Sequence, residues 1–250
     1  MNILLTNDDG IQAVGLRALY RALMDAGHEV HVVAPVTEQS AVGHAVTLSS
    51  PLRVKEFKET AFQGLGVYGT PVDCVKLGIS TLLATRPELV VSGINAGANV
   101  GVDILYSGTV SAATEGALMG LPALAVSYDA FNPVDLAEQA AAAAALLARV
   151  PWAKLPEQTL LNLNYPARPM SETKGLRLCR HTSAMYRDWY DARNDPRGRP
   201  YYWLDGVIPA EKLEPDTDRA LLTQGYVTLT PLRFDFNDPG TLEALASSLA

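Results

Sequence analysis

The sequence predicts an α/β fold in which a parallel sheet is covered by helices on both faces. Two observations carry this. Short apolar runs of strand character alternate with segments of helical periodicity, the pattern that layers helices over a parallel sheet. At 250 residues the chain is long enough for one sizeable core, so we read residues 1–250 as a single domain.

The elements follow in order. Ile3 to Thr6 is a buried strand, and Leu16, Leu19, Tyr20 and Leu23 then recur at i, i+3, i+4 and i+7, giving a helix that stops at Gly27. EVHVVAP is the second strand, and GTPVDCVKLGISTLLA reads as a helix led by Pro71, whose fixed φ suits a first turn. PELVVSGIN, GTVSAATEGALMG and LPALAVSYD continue as strand, helix and strand, which makes βαβαβαβ in outline. DLAEQAAAAAALLARV is built of strong helix formers and is a helix rather than a disordered segment. TLLNLNYP adds a core strand, and GYVTLTPL alternates like another before the tail. Between these two, about 180–215, Trp and Tyr crowd onto short strand-like pieces around an NDPRG turn. This reads as a hairpin arm, and an isolated hairpin is marginal in water, so it packs either on a partner subunit or back on its own domain.

Composition excludes several function classes. The net charge of -7 without a basic cluster excludes a polymeric nucleic-acid binder, whose affinity comes from neutralising phosphates with Lys and Arg. Nothing approaches the apolar run of about 18 residues that a membrane span needs. Asp8 and Asp9 stand where a signal peptide would still be apolar, and Cys74 and Cys179 form no disulfide framework. Both features fit a cytoplasmic protein with small, buried, reduced cysteines.

The chemistry begins at NILLTNDDGI, where the first strand ends in two adjacent carboxylates. Neighbours in a regular strand face opposite ways, so both serve one site only if the chain leaves the strand there, which Gly10 permits. Two carboxylates about 4 Å apart repel by roughly 4 kcal/mol at an effective dielectric near 20, and a divalent cation reverses the sign. The competing reading has one aspartate capping the next helix and the other facing water. Two more stretches end strands on the same sheet edge, where open parallel sheets bind ligands. VVAPVTEQSAVGHAVTL offers the Ser40 hydroxyl, although a loop serine alone is a turn former. VVSGINAGANVGVDILYSGTVSAATEG places Asn95 directly after a strand and then a helix start at Ser107, Gly108 and Thr109, small enough to admit a phosphate to backbone N–H groups. Ser107 or Thr109 also suits an ordinary N-cap. The donors Asp8, Asp9, Ser40 and Asn95 are all oxygens, which suits Mg²⁺ or Mn²⁺ and disfavours zinc. The four histidines do not cluster, and of them His44 borders the site.

ILLTNDDGI, APVTEQSAVGHAVTL, YGTPVDCVKLG and VVSGINAGANVGVDILYSGTVSAATEG together resemble the survival protein E (SurE) family of metal-dependent 5′/3′-nucleotidases. PYYWL and TDRALLTQGYVTLTPL resemble its C-terminal region. By position, the resemblance makes Asp8, Asp9, Ser40 and Asn95 ligands of one divalent cation, Mg²⁺ or Mn²⁺, and puts Asn99, Ser107, Gly108 and Thr109 around the phosphate. It implies a Rossmann-like three-layer α/β/α sandwich with a mostly parallel sheet and an exchanged C-terminal arm, hence a homodimer or homotetramer. It further implies hydrolysis of nucleoside 5′-monophosphates, of 3′-monophosphates and of short polyphosphate. We read the step as in-line attack by a metal-positioned water with Asp8 or Asp9 as base, with a covalent aspartyl-phosphate route as the alternative. The loop before the matched serine, VTEQSAVGH, is less basic than in many members. Asp73 and Asp103 match the family pattern and read as structural, tying down a helix start and the glycine-rich loop.

Rival classes fit less well. A haloacid-dehalogenase-type phosphatase separates its acids by one residue, and a response-regulator receiver needs a phosphoacceptor Asp where this chain has Ser92 and Asn95. A non-catalytic nucleotide- or phosphate-binding module with a bound cation is the alternative of a different class, although NDDGIQAVG lacks the G-x-G-x-x-G spacing.

Overall fold

The computed structural model describes residues 1–249. The chain runs β1 (Asn2–Thr6), α1 (Val14–Asp25), β2 (Glu29–Pro35), β3 (Val54–Glu59), β4 (Phe62–Val67), α2 (Pro71–Leu77), β5 (Leu89–Ala96), α3 (Gly108–Leu118) and β6 (Ala123–Tyr128). It continues with α4 (Ala137–Leu147), β7 (Thr159–Tyr165), β8 (Leu176–Leu178), β9 (Arg187–Asn194), β10 (Pro200–Val207), α5 (Asp218–Thr223), β11 (Val227–Arg233) and α6 (Pro239–Leu249).

The main sheet has the order β3-β4-β2-β1-β5-β6-β7-β11-β8. The pairs from β4 through β7 are parallel, whereas β3 and β11 join antiparallel to β4 and β7. Its central strands are apolar on both sides because both faces are covered. On one face α1 and α4 pack Leu16, Leu19, Leu23, Ala140 and Leu147 against Ile3, Leu5 and Val91. On the other, α2 and α3 pack Val75, Val110, Ala113 and Ala117 against Leu4, Val33 and Val90. This is the three-layer α/β/α sandwich with a mostly parallel sheet. From β1 the chain moves to β2 on one side and later crosses to β5 on the other, so the strand order reverses at β1. Such a switch point opens a crevice at the carboxyl ends of the strands.

Three details differ from the sequence reading. The helix read over 69–84 is shorter: α2 ends at Leu77 and continues as a π turn, Gly78–Leu82, where Gly78 takes the C-cap and β-branched Ile79 and Thr81 are poor helix formers. The hairpin of β3 and β4 lengthens one sheet edge. Cys74 is buried as expected, but Cys179 is half-buried, with its thiol 3.3 Å from Thr230 Oγ1. The arm is a separate antiparallel ribbon of β9 and β10 that leaves Tyr190 67%, Tyr202 61% and Trp203 60% exposed. Its aromatic side chains therefore gain little cover from their own domain.

Candidate active site

The turn after β1 decides where the two aspartates go. Asn7 Nδ2 donates to the Gly10 carbonyl at 3.0 Å, and Gly10 takes φ +98, a conformation that favours glycine. The amide of Ile11 then reaches the Pro35 carbonyl at the end of β2, and the amide of Gln39 reaches the Asp8 carbonyl, both at 2.8 Å. The chain has left the strand, as two carboxylates at one site require. Asp8 turns toward α3, where Thr109 donates its amide to Oδ2 at 3.1 Å and its hydroxyl to Oδ1. Asp9 turns toward β5, where the Ala96 amide donates to Oδ2 at 3.0 Å. The N-cap of α1 is Ala13, and among the described residues no side chain caps it, so helix capping does not account for either aspartate.

Burial disfavours both charges. Asp8 is pushed above its ordinary value by desolvation, against which the two Thr109 donors pull, and the charge of Glu38 adds to the rise. Asp9 is pushed up to about 6 by desolvation, opposed by the Ala96 amide and reinforced by the charges of Asp8 and Glu38. A cation bound by both carboxylates would offset these penalties.

The remaining oxygen donors are oriented by their own hydrogen bonds. Asn95 is the next-to-last residue of β5, just past a register shift between Ser92 and Asn95, a bend that re-aims side chains. Its Nδ2 donates to the Gly97 carbonyl at 2.7 Å, which leaves Oδ1 as an acceptor. The Ser40 hydroxyl donates to Glu38 Oε1 at 2.6 Å, which leaves its lone pairs for another partner. Asp9 retains Oδ1 beyond the Ala96 bond, and each oxygen of Asp8 retains a lone pair beyond Thr109. Two carboxylates and two neutral oxygens with their donors committed elsewhere suit a hard divalent cation.

The helix start lies against Asp8. Ser107 is the N-cap of α3, its Oγ accepting the Val110 amide at 3.0 Å, so the capping reading holds for Ser107 and not for Thr109. A Cβ at Gly108 would lie 2.8 Å from Asp8 Cβ and 3.0 Å from Asp8 Oδ2, so only glycine lets the helix approach this closely. First-turn amides have no partner within their helix and favour an anion. Thr109, expected among the phosphate contacts, has both its donors on Asp8. Asn99 is buried, with Nδ2 on Ser127 Oγ at 2.8 Å and its amide on Asn164 Oδ1 at 2.8 Å.

Asp73 forms a capping box with Thr70 at the start of α2 and binds Thr47, and Asp103 pairs with Arg219 beside Tyr186, which matches the structural reading of both. His44 binds Glu115. Sequence reasoning missed Glu38, Glu115, Asn162 and Asn164. The last two were signalled by TLLNLNY, since polar residues at i and i+2 inside a buried strand need partners. Both are fully buried and both donate to the Asn99 carbonyl.

The survival protein SurE family model matches residues 3–188. A 5′-nucleotidase SurE of Nitratidesulfovibrio vulgaris is 70% identical over 246 residues, covering 98% of this chain and 91% of the relative. One of Maridesulfovibrio salexigens is 66% identical, covering 99% of each. The crystal structure of the SurE protein from Aquifex aeolicus superposes with a TM-score of 0.85 at 36% identity over 99% of both chains. The matched region contains every strand end that contributes to the crevice at β1, and the chain belongs to the survival protein SurE family.

Proposed function

We propose that this chain is a metal-dependent 5′-nucleotidase that hydrolyses nucleoside 5′-monophosphates to nucleoside and phosphate. The observation that carries the reading is a buried Asp8 and a half-buried Asp9, both charge-disfavoured, with Asp8 held by the start of α3 and with the neighbours of Ser40 and Asn95, Gln39 and Ala96, hydrogen-bonded to Asp8 and Asp9. Relatives that share 66–70% of their residues with this chain carry the name 5′-nucleotidase. Asp8, Asp9, Ser40 and Asn95 would hold one Mg²⁺ or Mn²⁺, which when bound supplies a Lewis acid for a phosphate oxygen and lowers the pKa of a water. The chain's own residues do the rest. The Gly108 amide, the Ser107 hydroxyl proton and the second amide proton of Asn99 hold the equatorial phosphate oxygens as charge builds. Thr109 keeps Asp8 ionised and aimed, and Asp9 accepts the proton of the attacking water. Activity on 3′-monophosphates and short polyphosphate belongs to the same reading, because the site grips the phosphate rather than the base.

The exposed aromatics of the arm, with the fully exposed α6, support a homodimer or homotetramer joined through the C-terminal region. Both cysteines are free, which supports a cytoplasmic location. No described helix is long and apolar enough to cross a membrane.

The test is phosphate release from 5′-AMP, 3′-AMP, tripolyphosphate and an aryl phosphate by metal-stripped protein, before and after adding Mn²⁺ or Mg²⁺. Metal-dependent release, fastest from 5′-AMP, is expected. Folded protein that binds metal and nucleotide without releasing phosphate would replace the enzyme reading with a binding module.

A further inference from the structure

We infer that Glu115 is a positioning residue that, through His44, fixes the loop carrying Ser40 for cation binding. The inference rests on the metal site proposed above and extends it to residues outside the ligand set.

The segment 37–48 has neither helix nor strand and is largely exposed. Its conformation is not one the chain favours locally: Ala41, next to Ser40, takes φ 55, which costs a residue with a Cβ of order 1 kcal/mol or more and persists only where surroundings impose it. Five ties impose it. The Gln39 amide reaches the Asp8 carbonyl at 2.8 Å, the Gly43 amide reaches the Tyr106 carbonyl at 3.0 Å, the Thr70 hydroxyl donates to the Ala45 carbonyl at 2.7 Å, and Thr47 binds Asp73. The fifth is His44, whose Nε2 lies 2.8 Å from Glu115 Oε2.

Glu115 is a firm anchor because it is 6% exposed on α3 and its other oxygen takes Lys76 Nζ at 2.7 Å. A buried carboxylate held on both oxygens does not shift without losing a partner. The same helix grips Asp8 through Thr109 in its first turn. One rigid element therefore fixes Asp8 directly and Ser40 through His44, and sets the spacing of two ligands borne on separate loops. Partners of metal ligands act this way elsewhere, and their removal weakens metal binding on the order of 10–100-fold. The competing account is that the tie merely packs the loop onto α2 and α3, in which case its loss lowers stability without touching the cation.

Calorimetric titration of the metal-stripped full chain with Mn²⁺ separates the two. His44→Ala should weaken binding about tenfold, and His44→Gln, which keeps a donor, should recover most of it. Lys76→Met removes the other partner of the same carboxylate without touching the loop and should weaken binding less than His44→Ala does. In a Ser40→Ala background, His44→Ala should add nothing further, because its effect passes through Ser40. Glu115→Gln repeats the test from the buried side and should weaken Mn²⁺ binding several-fold. A folded His44→Ala protein with wild-type affinity overturns the inference, and so does an equal loss in the Ser40→Ala background. Wild-type Mn²⁺ binding by Asp9→Asn instead refutes the underlying metal site, a result separable from anything His44 does.

Discussion

Replacing Thr109 by Val removes one donor and almost nothing else. The side chain is fully buried, valine has nearly its volume, and the main-chain N–H that donates to Asp8 Oδ2 at 3.1 Å stays in place. What is lost is the hydroxyl bond to Asp8 Oδ1, and at a fully buried position no water replaces it. A hydrogen bond to a charged group contributes roughly 1.5–3 kcal/mol, and 1.4 kcal/mol is tenfold in affinity, so the ionised, metal-binding form of Asp8 becomes about ten- to hundredfold harder to reach. Burial already pushes the Asp8 carboxyl above its ordinary value, with Thr109 pulling against it, so the variant holds its proton more tightly and the loss grows as pH falls. The assay is calorimetric Mn²⁺ titration of metal-stripped protein at two pH values, with a thermal melt to confirm folding. A folded Thr109→Val protein whose Kd stays within about twofold of wild type would refute the role assigned to this contact.

Gly108→Ala forces a methyl to 2.8 Å from Asp8 Cβ and 3.1 Å from Pro71 Cγ, so the helix start or Asp8 must shift. Overpacking of this kind costs about 1–3 kcal/mol, and kcat should fall on the order of 100-fold if the shift approaches 1 Å; a melt and a rate at saturating 5′-AMP check both. For the metal-free protein, Asp9 sets the sign of a pH effect. The folded carboxyl holds its proton up to about 6 while the unfolded one releases it near 3.8, so the folded state binds more protons in that window and the Asp9 contribution destabilises the apo protein as pH rises through it. Denaturant midpoints of wild type and Asp9→Asn should therefore converge near pH 4 and separate by pH 7, with Asp9→Asn the more stable when metal is absent. Asp73→Ala removes the capping box of α2 and the bonds to Thr47, which should cost about 1–2 kcal/mol and lower Tm by roughly 2–8 °C, read by calorimetry.

Much of the fold was legible because its signals are local. The buried strands and amphipathic α1 announce themselves by period, and Pro71 and Gly27 mark a helix start and stop. β3 escaped because VKEFKE lies at the sheet edge with five of its six residues exposed, so no apolar face is written into it. α6 was left in the tail because its apolar residues, Leu242, Leu245 and Leu249, meet no described core. At the site, Asp8, Asp9, Asn95 and Ser107 were legible as strand-end and helix-start residues. His44 was legible as a residue bordering the site, but its pairing with Glu115 was not, since the two lie 71 residues apart and meet only once the sheet is assembled. Glu38 was present in the quoted loop, but its bond to Ser40 depends on the turn that the anchors impose.

The most direct test of the account is phosphate release from 5′-AMP as a function of Mn²⁺ concentration, wild type against Asp9→Asn, both metal-stripped and shown to be folded. The account predicts release by the wild type that rises from near zero to saturation with Mn²⁺, and a variant that needs far more metal and turns over at least about 100-fold more slowly. Equal rates in the two proteins, or release by the wild type that ignores Mn²⁺ and survives chelation, would contradict it.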